Sequence, residues 1–302
     1  MLGPSLFTAR PAARSLRRRV CSSVKRLQTH GGAKWRFDHN TARRPWPAGP
    51  TMTIEPLLLT SARVATFDGD LVLTAATGFF FERDGQLWLV TARHVLIDEP
   101  SGHRPNRIEI QFHTDPDNLT KMSVLSLWIY EGGNGIWRQG SDSAGEIDVA
   151  VIQLDAASLP KRRELRAFTP EHLQSDLKAA EVGDALLIVG FPLGFQDTVH
   201  YLPVVRQATI ASSFGVRFQG QGYFLTDARL HRGSSGAPVV MRDPAGDSAL
   251  PWKLLGVHSS RLDMKTRDLD QDESLGLNCA WYADILLTLT APKPPTQAKA
   301  KA

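Results

Sequence analysis

The sequence predicts an all-β fold, a barrel or a sandwich, on three observations. Short apolar runs recur along the chain, Gly, Pro and Asp punctuate them, and one charged stretch divides them into two groups. The composition agrees. The 302 residues are 42% apolar and 22% charged, ordinary for a globular protein. No uninterrupted apolar run approaches the ~20 residues a membrane span needs. Two cysteines, Cys21 and Cys279, exclude a disulfide-rich scaffold and a four-cysteine zinc site.

The runs are read in order. Gly78 to Glu82 and Leu87 to Ala92 flank Arg83-Asp84-Gly85-Gln86, a hairpin signal. Arg107 to His113 alternates around Ile108, Ile110 and Phe112. Further strands are expected at Val124–Tyr130, Asp148–Leu154, Ala185–Gly190, Val204–Ala211, Tyr223–Thr226, Ala237–Met241, Leu254–Val257 and Leu277–Trp281. Ser158 to Lys178 is charged, holds Pro160 and Pro170, and reads as a connector with weak helical character. Ala283 to Thr290 reads as a short terminal helix. There is no internal repeat.

The net charge of +4 is unevenly placed. Residues 1–51 carry eleven Lys/Arg and one acid, Asp38, and sum to +10. The rest carry 24 Lys/Arg and 30 Asp/Glu, and sum to −6. The basic character therefore belongs to the first 51 residues, and no nucleic-acid partner follows from it for the body. That extension is read as disordered or untranslated, with the start at Met52. A transit peptide and a functional basic arm are the alternatives. The expected domain spans 52–290, with a disordered tail at 291–302. No secretory pattern follows Met52, so a cytoplasmic location is expected, or an organellar one if the extension is a transit peptide. No membrane partner is implied, and the sequence sets no oligomeric state.

Three residues carry the chemistry. A nucleophilic hydroxyl needs a base, the base needs an orienting acid, and the developing oxyanion needs donors. Ser235 stands in Arg232-Gly233-Ser234-Ser235-Gly236-Ala237-Pro238, where flanking glycines allow an unusual backbone and can aim the Gly233 and Ser235 amides at one spot. His94 stands where the apolar run Leu89-Val90-Thr91-Ala92 ends. Asp148 opens the apolar strand Val149-Ala150-Val151-Ile152, where a half-buried carboxylate needs a partner such as a His N–H. The chain order His, Asp, Ser places the first two in one β half and the third in the other.

These residues resemble the trypsin-like serine peptidases, and within them the HtrA/Deg-type bacterial branch. Thr91-Ala92-Arg93-His94-Val95 is similar to that group's histidine motif, and Asp148 to Ile152 to its aspartate strand. Gly190-Phe191-Pro192-Leu193-Gly194 is similar to its Gly-x-Pro-x-Gly turn. Thr226-Asp227-Ala228 precedes Gly233-Ser234-Ser235-Gly236 at the family's spacing. The resemblance covers roughly residues 60–290. It implies two antiparallel β-barrels, the first at about 55–157 and the second at about 179–290. It also implies endopeptidase activity on polypeptides, with no cofactor and no metal. By the same resemblance, Gly256-Val257-His258-Ser259 is the edge strand that pairs with substrate, and Ser259 hydrogen-bonds Asp148. Leu230 walls the primary pocket, which receives the side chain just before the cut. With no acid between Ala228 and Ser235, and Arg229 facing solvent, small or medium aliphatic side chains such as Val, Ala or Leu are expected there over Lys and Arg.

The sequence departs from the family pattern at Ala237, where a second Gly is usual, and at Arg261, where a small residue is frequent. No PDZ domain follows the second barrel. The alternative function is a catalytically inactive trypsin-like binding module. An α/β-hydrolase esterase is disfavoured, because Ala237 breaks Gly-x-Ser-x-Gly and only His258 follows Ser235.

Overall fold

Apolar alternation, turn chemistry and a shared apolar seam build the fold from the chain upward. A computed structural model describes residues 54–246, 249–264 and 273–292. The expectations for residues 1–51, and for the tail beyond Pro292, lie outside the described residues.

The first half holds β1 (Ser61–Asp68), β2 (Leu71–Arg83), β3 (Gln86–Thr91), α1 (Arg93–Leu96), β4 (Arg107–His113), β5 (Met122–Trp128), β6 (Tyr130–Glu131), β7 (Asn134–Gly135), β8 (Arg138–Asp142) and β9 (Gly145–Leu154). The second holds β10 (Ala185–Gly190), β11 (Val204–Ile210), β12 (Tyr223–Asp227), β13 (Pro238–Arg242), β14 (Trp252–Met264), β15 (Glu273–Tyr282) and α2 (Ile285–Leu289). The protein is all-β, a double barrel, with two short α-helices among the described residues. The second half is a closed barrel in the order β10-β11-β12-β15-β14-β13. The first is a seven-stranded antiparallel sheet, β5-β4-β1-β2-β3-β9-β8. Its end strands share no ladder. Ile129, Ile136 and Trp137, between them in sequence, join the apolar cluster that this sheet encloses.

Local chemistry sets the hairpin that carries His94. Asp84 (φ 53°) and Gly85 (φ 72°) are both left-handed, and Arg83 pairs with Gln86. That is the two-residue turn whose twist matches its strands. β4 and β10 occupy the expected ranges, and the expected terminal helix narrows to α2. Among the described residues, three strands escaped the sequence reading: β1, the two-residue β7 and β8. β1 is buried on both faces over most of its length, so it lacks alternation, and β8 (Arg-Gln-Gly-Ser-Asp) is polar. β14 and β15 run well beyond their apolar segments because each is paired along its length in a closed barrel.

The connector is an ordered strap. Its helical character reduces to a three-residue 3-10 turn, Pro170–His172. Phe168 is fully buried, lies edge-on to Phe79 (centroids 5.8 Å apart), and its backbone bonds to Phe80 and Glu82 of β2. A few residues on, Leu173 bridges to Leu254 of β14. The cluster around Phe168 spans both halves, joining Phe79, Phe81 and Val149 to Val189, Leu254 and Val257. Phe168→Ala is expected to cost ~3–5 kcal/mol, the usual range for a buried Phe emptied to a cavity. Urea denaturation checks this, and a loss below about 1 kcal/mol would contradict the strap's place in the core.

Candidate active site

β3 ends at Thr91, and the one-turn helix α1 begins two residues later. This presents His94 at the mouth of a cleft of about 800 Å³. The cleft is lined by residues of both halves, among them Leu73, Ala75, His94, Arg104, Gly233 and Ser235. Asp148 lies early in β9, next to β3 in the sheet. Its Oδ1 accepts the His94 backbone N–H (2.8 Å), and its Oδ2 lies 2.7 Å from His94 Nδ1. The Ser259 hydroxyl donates to the same Oδ2 at 2.5 Å. Because an ionised carboxylate only accepts, Nδ1 carries the proton and Nε2 is left as an acceptor.

The two partners shift each other. Burial opposes charge on His94, but the hydrogen bond and negative charge of Asp148 outweigh it, and the His94 pKa is raised. Burial likewise opposes charge on Asp148. The hydrogen bond and charge of His94, with the Ser259 hydroxyl and the His94 amide, outweigh it and hold the carboxyl below its usual range.

Ser235 lines the same cleft, but its hydroxyl donates to the Ser259 carbonyl (3.0 Å) and not to His94. The turn around it depends on glycine. Gly233 has φ +91° and Gly236 φ +86°, and a Cβ on Gly236 would lie 2.2 Å from the Thr77 carbonyl oxygen. The Leu193 N–H donates to the Arg232 carbonyl (2.5 Å). In a trans peptide the C=O and the next N–H point in opposite directions, so this bond turns the Gly233 N–H away from Leu193. Among the described residues, neither the Gly233 nor the Ser235 N–H has a hydrogen-bond partner. A pair of unspent amides beside a cleft is an anion-binding arrangement.

The sequence matches the trypsin-like peptidase domain over residues 76–246, more than half of the chain. The chain belongs to the trypsin-like peptidase family. No curated protein matches it. Among solved structures, a serine endoprotease from Yersinia pestis is 18% identical with a TM-score of 0.44. That alignment covers 78% of this chain and 65% of the other, so this chain spans under two thirds of that structure's length.

Within this trypsin-like peptidase, the structure brings His94, Asp148 and Ser259 into contact, and sets Ser235 against Ser259. Two expected substrate contacts, Val257 and His258 on the edge strand, need correction. Val257 pairs with Pro238 on one side and Trp281 on the other, and is wholly buried in the core between the halves. The His258 N–H donates to the Ala237 carbonyl and its own carbonyl accepts from Gly236, both at 2.8 Å. Neither backbone is an edge, because barrel closure has used both sides of β14 here. The free edge begins at Ser259. Leu230 is buried in the apolar cluster of the second barrel with Phe214, Phe224 and Leu255. Arg229 is exposed.

Sequence reasoning missed Thr77. Its Oγ1 donates to the Gly233 carbonyl (2.7 Å) and accepts from the Phe191 N–H (3.0 Å). Its own N–H donates to the Ser235 carbonyl (3.0 Å), and Thr91 Oγ1 donates to the Thr77 carbonyl (2.8 Å). One residue of the first half thus holds both ends of the Gly233–Ser235 turn in the second, Gly233 through its side chain and Ser235 through its backbone N–H. The only signal was a Thr just before a Gly in an apolar run. Thr77→Val keeps the shape but leaves two buried backbone groups unpaired, at ~1–3 kcal/mol each. The expected result is a fall in kcat of about 10–100-fold with KM little changed. Steady-state kinetics check it, and an unchanged kcat would show that the clasp does not position the turn.

Proposed function

We propose that the protein is a serine endopeptidase that cuts polypeptides through His94, Asp148 and Ser235. The observation that carries this reading is the His94–Asp148 pair, with Nε2 left as an acceptor on the cleft that Ser235 lines. A change of Ser235 rotamer, between staggered wells, takes its hydroxyl from the Ser259 carbonyl to Nε2. His94 removes the proton as Ser235 Oγ attacks the scissile carbonyl. The Gly233 and Ser235 N–H groups receive the oxyanion. His94 then gives the proton to the leaving amine, while Asp148 keeps Nδ1 protonated and stabilises the imidazolium. Water repeats the sequence on the acyl-enzyme. The test is hydrolysis of an unfolded protein such as casein by the full chain, with peptides sequenced to show internal cuts. Absence of any cleavage would favour the inactive binding module.

The raised His94 pKa sets the acid limb of activity. The base works only when neutral, so activity falls as pH drops through the folded-state value. For the free enzyme this limb appears in kcat/KM, and its midpoint is expected above the ordinary 6.5. The stability linkage has the opposite sense. A raised pKa contributes fully below the unfolded value, and that contribution is lost as pH rises through the folded one. A pH profile of kcat/KM checks the prediction. A limb centred well below 6.5 would contradict His94 as the base.

A further inference from the structure

The second barrel carries an unpaired edge beside the catalytic turn. The Ile210 N–H donates to Asp184 and its carbonyl accepts from Gly183, so the even-numbered residues of β11 turn their backbone groups toward β10. Val205, Gln207 and Thr209 turn theirs the other way, toward β12. Thr209 pairs with Asp227, where β12 ends. Val205 and Gln207 have no strand opposite them, and among the described residues no hydrogen bond reaches their N–H and C=O groups on that side. Such an edge is a template for another strand. Beside it lies a groove of about 460 Å³, lined by Leu193, Phe195, Val205, Arg206 and His231 among others. Leu193 is 72% and Phe195 64% exposed, so the chain leaves both apolar side chains in water. Arg206, Arg229 and Arg232 are exposed on the segments 204–207 and 227–232 that flank the gap, and none is in an ion pair among the described residues. Asp227 is the one acid on those two segments. An exposed apolar patch with a charged rim marks an interaction site.

We propose that this edge and groove dock an acidic, extended segment of the polypeptide substrate, on the leaving side of the cut. The proposal rests on the serine-peptidase reading. The segment adds to β11 as a strand, through the backbone groups of Val205 and Gln207. Its apolar side chains enter the groove against Leu193 and Phe195, and its carboxylates meet the free guanidiniums. The excess of arginine over acid selects carboxylates and rejects a basic segment. The occupant is the substrate because groove and cleft share the catalytic turn. His231 lines the groove and the next residue, Arg232, lines the cleft. Ser259, where the free edge for the acyl side begins, meets the Ser235 end of the turn, and Leu193 holds the Arg232 carbonyl at the Gly233 end. A chain that enters along Ser259 and leaves past Gly233 comes next to Leu193 and the groove. Docking so far from the reacting bond is equal in the ground and transition states, so it lowers KM and leaves kcat alone.

The experiment uses internally quenched peptides built on one cut site found in casein. After the cut they carry a Gly/Ser linker of about 2–8 residues, then Glu-Val-Glu-Phe-Glu-Val, the same tail with Lys for Glu, or no tail. With the full chain, the Glu tail is expected to lower KM by about 10-fold at one or more linker lengths, with kcat unchanged. The Lys tail gives no such gain, and added salt erodes the gain of the Glu tail. The pair Arg206→Glu and Arg229→Glu, and separately Val205→Pro, are expected to return KM to the value without a tail. The untailed peptide is still cut as by the wild type, which shows that each variant is folded. Val205→Pro removes an outward N–H, a position at which an edge strand tolerates proline. Equal KM with and without the Glu tail at every linker length overturns the proposal, as does a gain that survives the arginine substitutions. Fluorescence anisotropy of the labelled Glu tail on full-chain Ser235→Ala separates the two readings. Cleavage with neither tail binding nor a KM effect overturns the docking site alone. Tail binding without cleavage of any peptide overturns the serine mechanism and not the docking surface.

Discussion

Ser235→Ala is expected to lower peptide hydrolysis by about 10⁴–10⁶-fold in kcat while leaving the fold intact. The change removes the hydroxyl that lines the cleft with His94 and stands beside two unspent amides. Its structural cost is small. The lost bond is the single one to the Ser259 carbonyl, a loss of about 0.5–1.5 kcal/mol. The Gly233 and Ser235 amides stay in place because Leu193 and Thr77 hold the turn through backbone groups that the substitution does not touch. Residual activity near the uncatalysed level, with an unshifted thermal midpoint, is the expected pair of results. Activity within about 10-fold of wild type in a clean preparation would remove Ser235 from the reaction.

Asp148→Asn is expected to cost about 10⁴-fold in kcat, with little change in KM. Asn keeps the volume and its one oxygen can still accept from the His94 amide, while its NH₂ takes the place of the Oδ2 that bonded Nδ1 and the Ser259 hydroxyl. Its NH₂ cannot accept the Nδ1 proton. The imidazole then adopts the tautomer with the proton on Nε2, the wrong nitrogen for taking a proton from Ser235. The imidazolium that forms in the transition state also loses its counter-charge. The His94 pKa falls, because burial is then opposed only by the weaker charge of Asp98. The rate loss is therefore expected together with an acid limb moved to lower pH. Steady-state kinetics across pH read both. A loss below about 10-fold, or an unmoved limb, would assign Asp148 to packing alone.

The sequence carried the parts of this fold that local chemistry dictates. The Asp84-Gly85 hairpin, the alternating β4 and the apolar β10 need only their own residues to be recognised. His94 and Asp148 were legible for the same reason. One ends an apolar strand, the other opens one, and each needs a partner that the other supplies. What escaped depends on closure. β1 is sandwiched between β2 and β4 and shows no alternation, while β8 is a polar edge recruited by β9. The substrate-facing edge was placed three residues too early, because a closed barrel pairs Gly256 to His258 on both sides and no local pattern announces where pairing stops. Thr77 escaped because its four hydrogen bonds join segments more than a hundred residues apart, or run to a neighbouring strand.

The most direct test of the central claim is to react the full chain with a fluorophosphonate and map the adduct by peptide mass. Phosphonylation needs an activated serine and an oxyanion site, and needs nothing from a substrate's sequence. The account predicts one adduct, on Ser235, that is lost in heat-denatured protein and in Asp148→Asn is formed far more slowly. No adduct on the folded chain, or an adduct on any other serine, would contradict it.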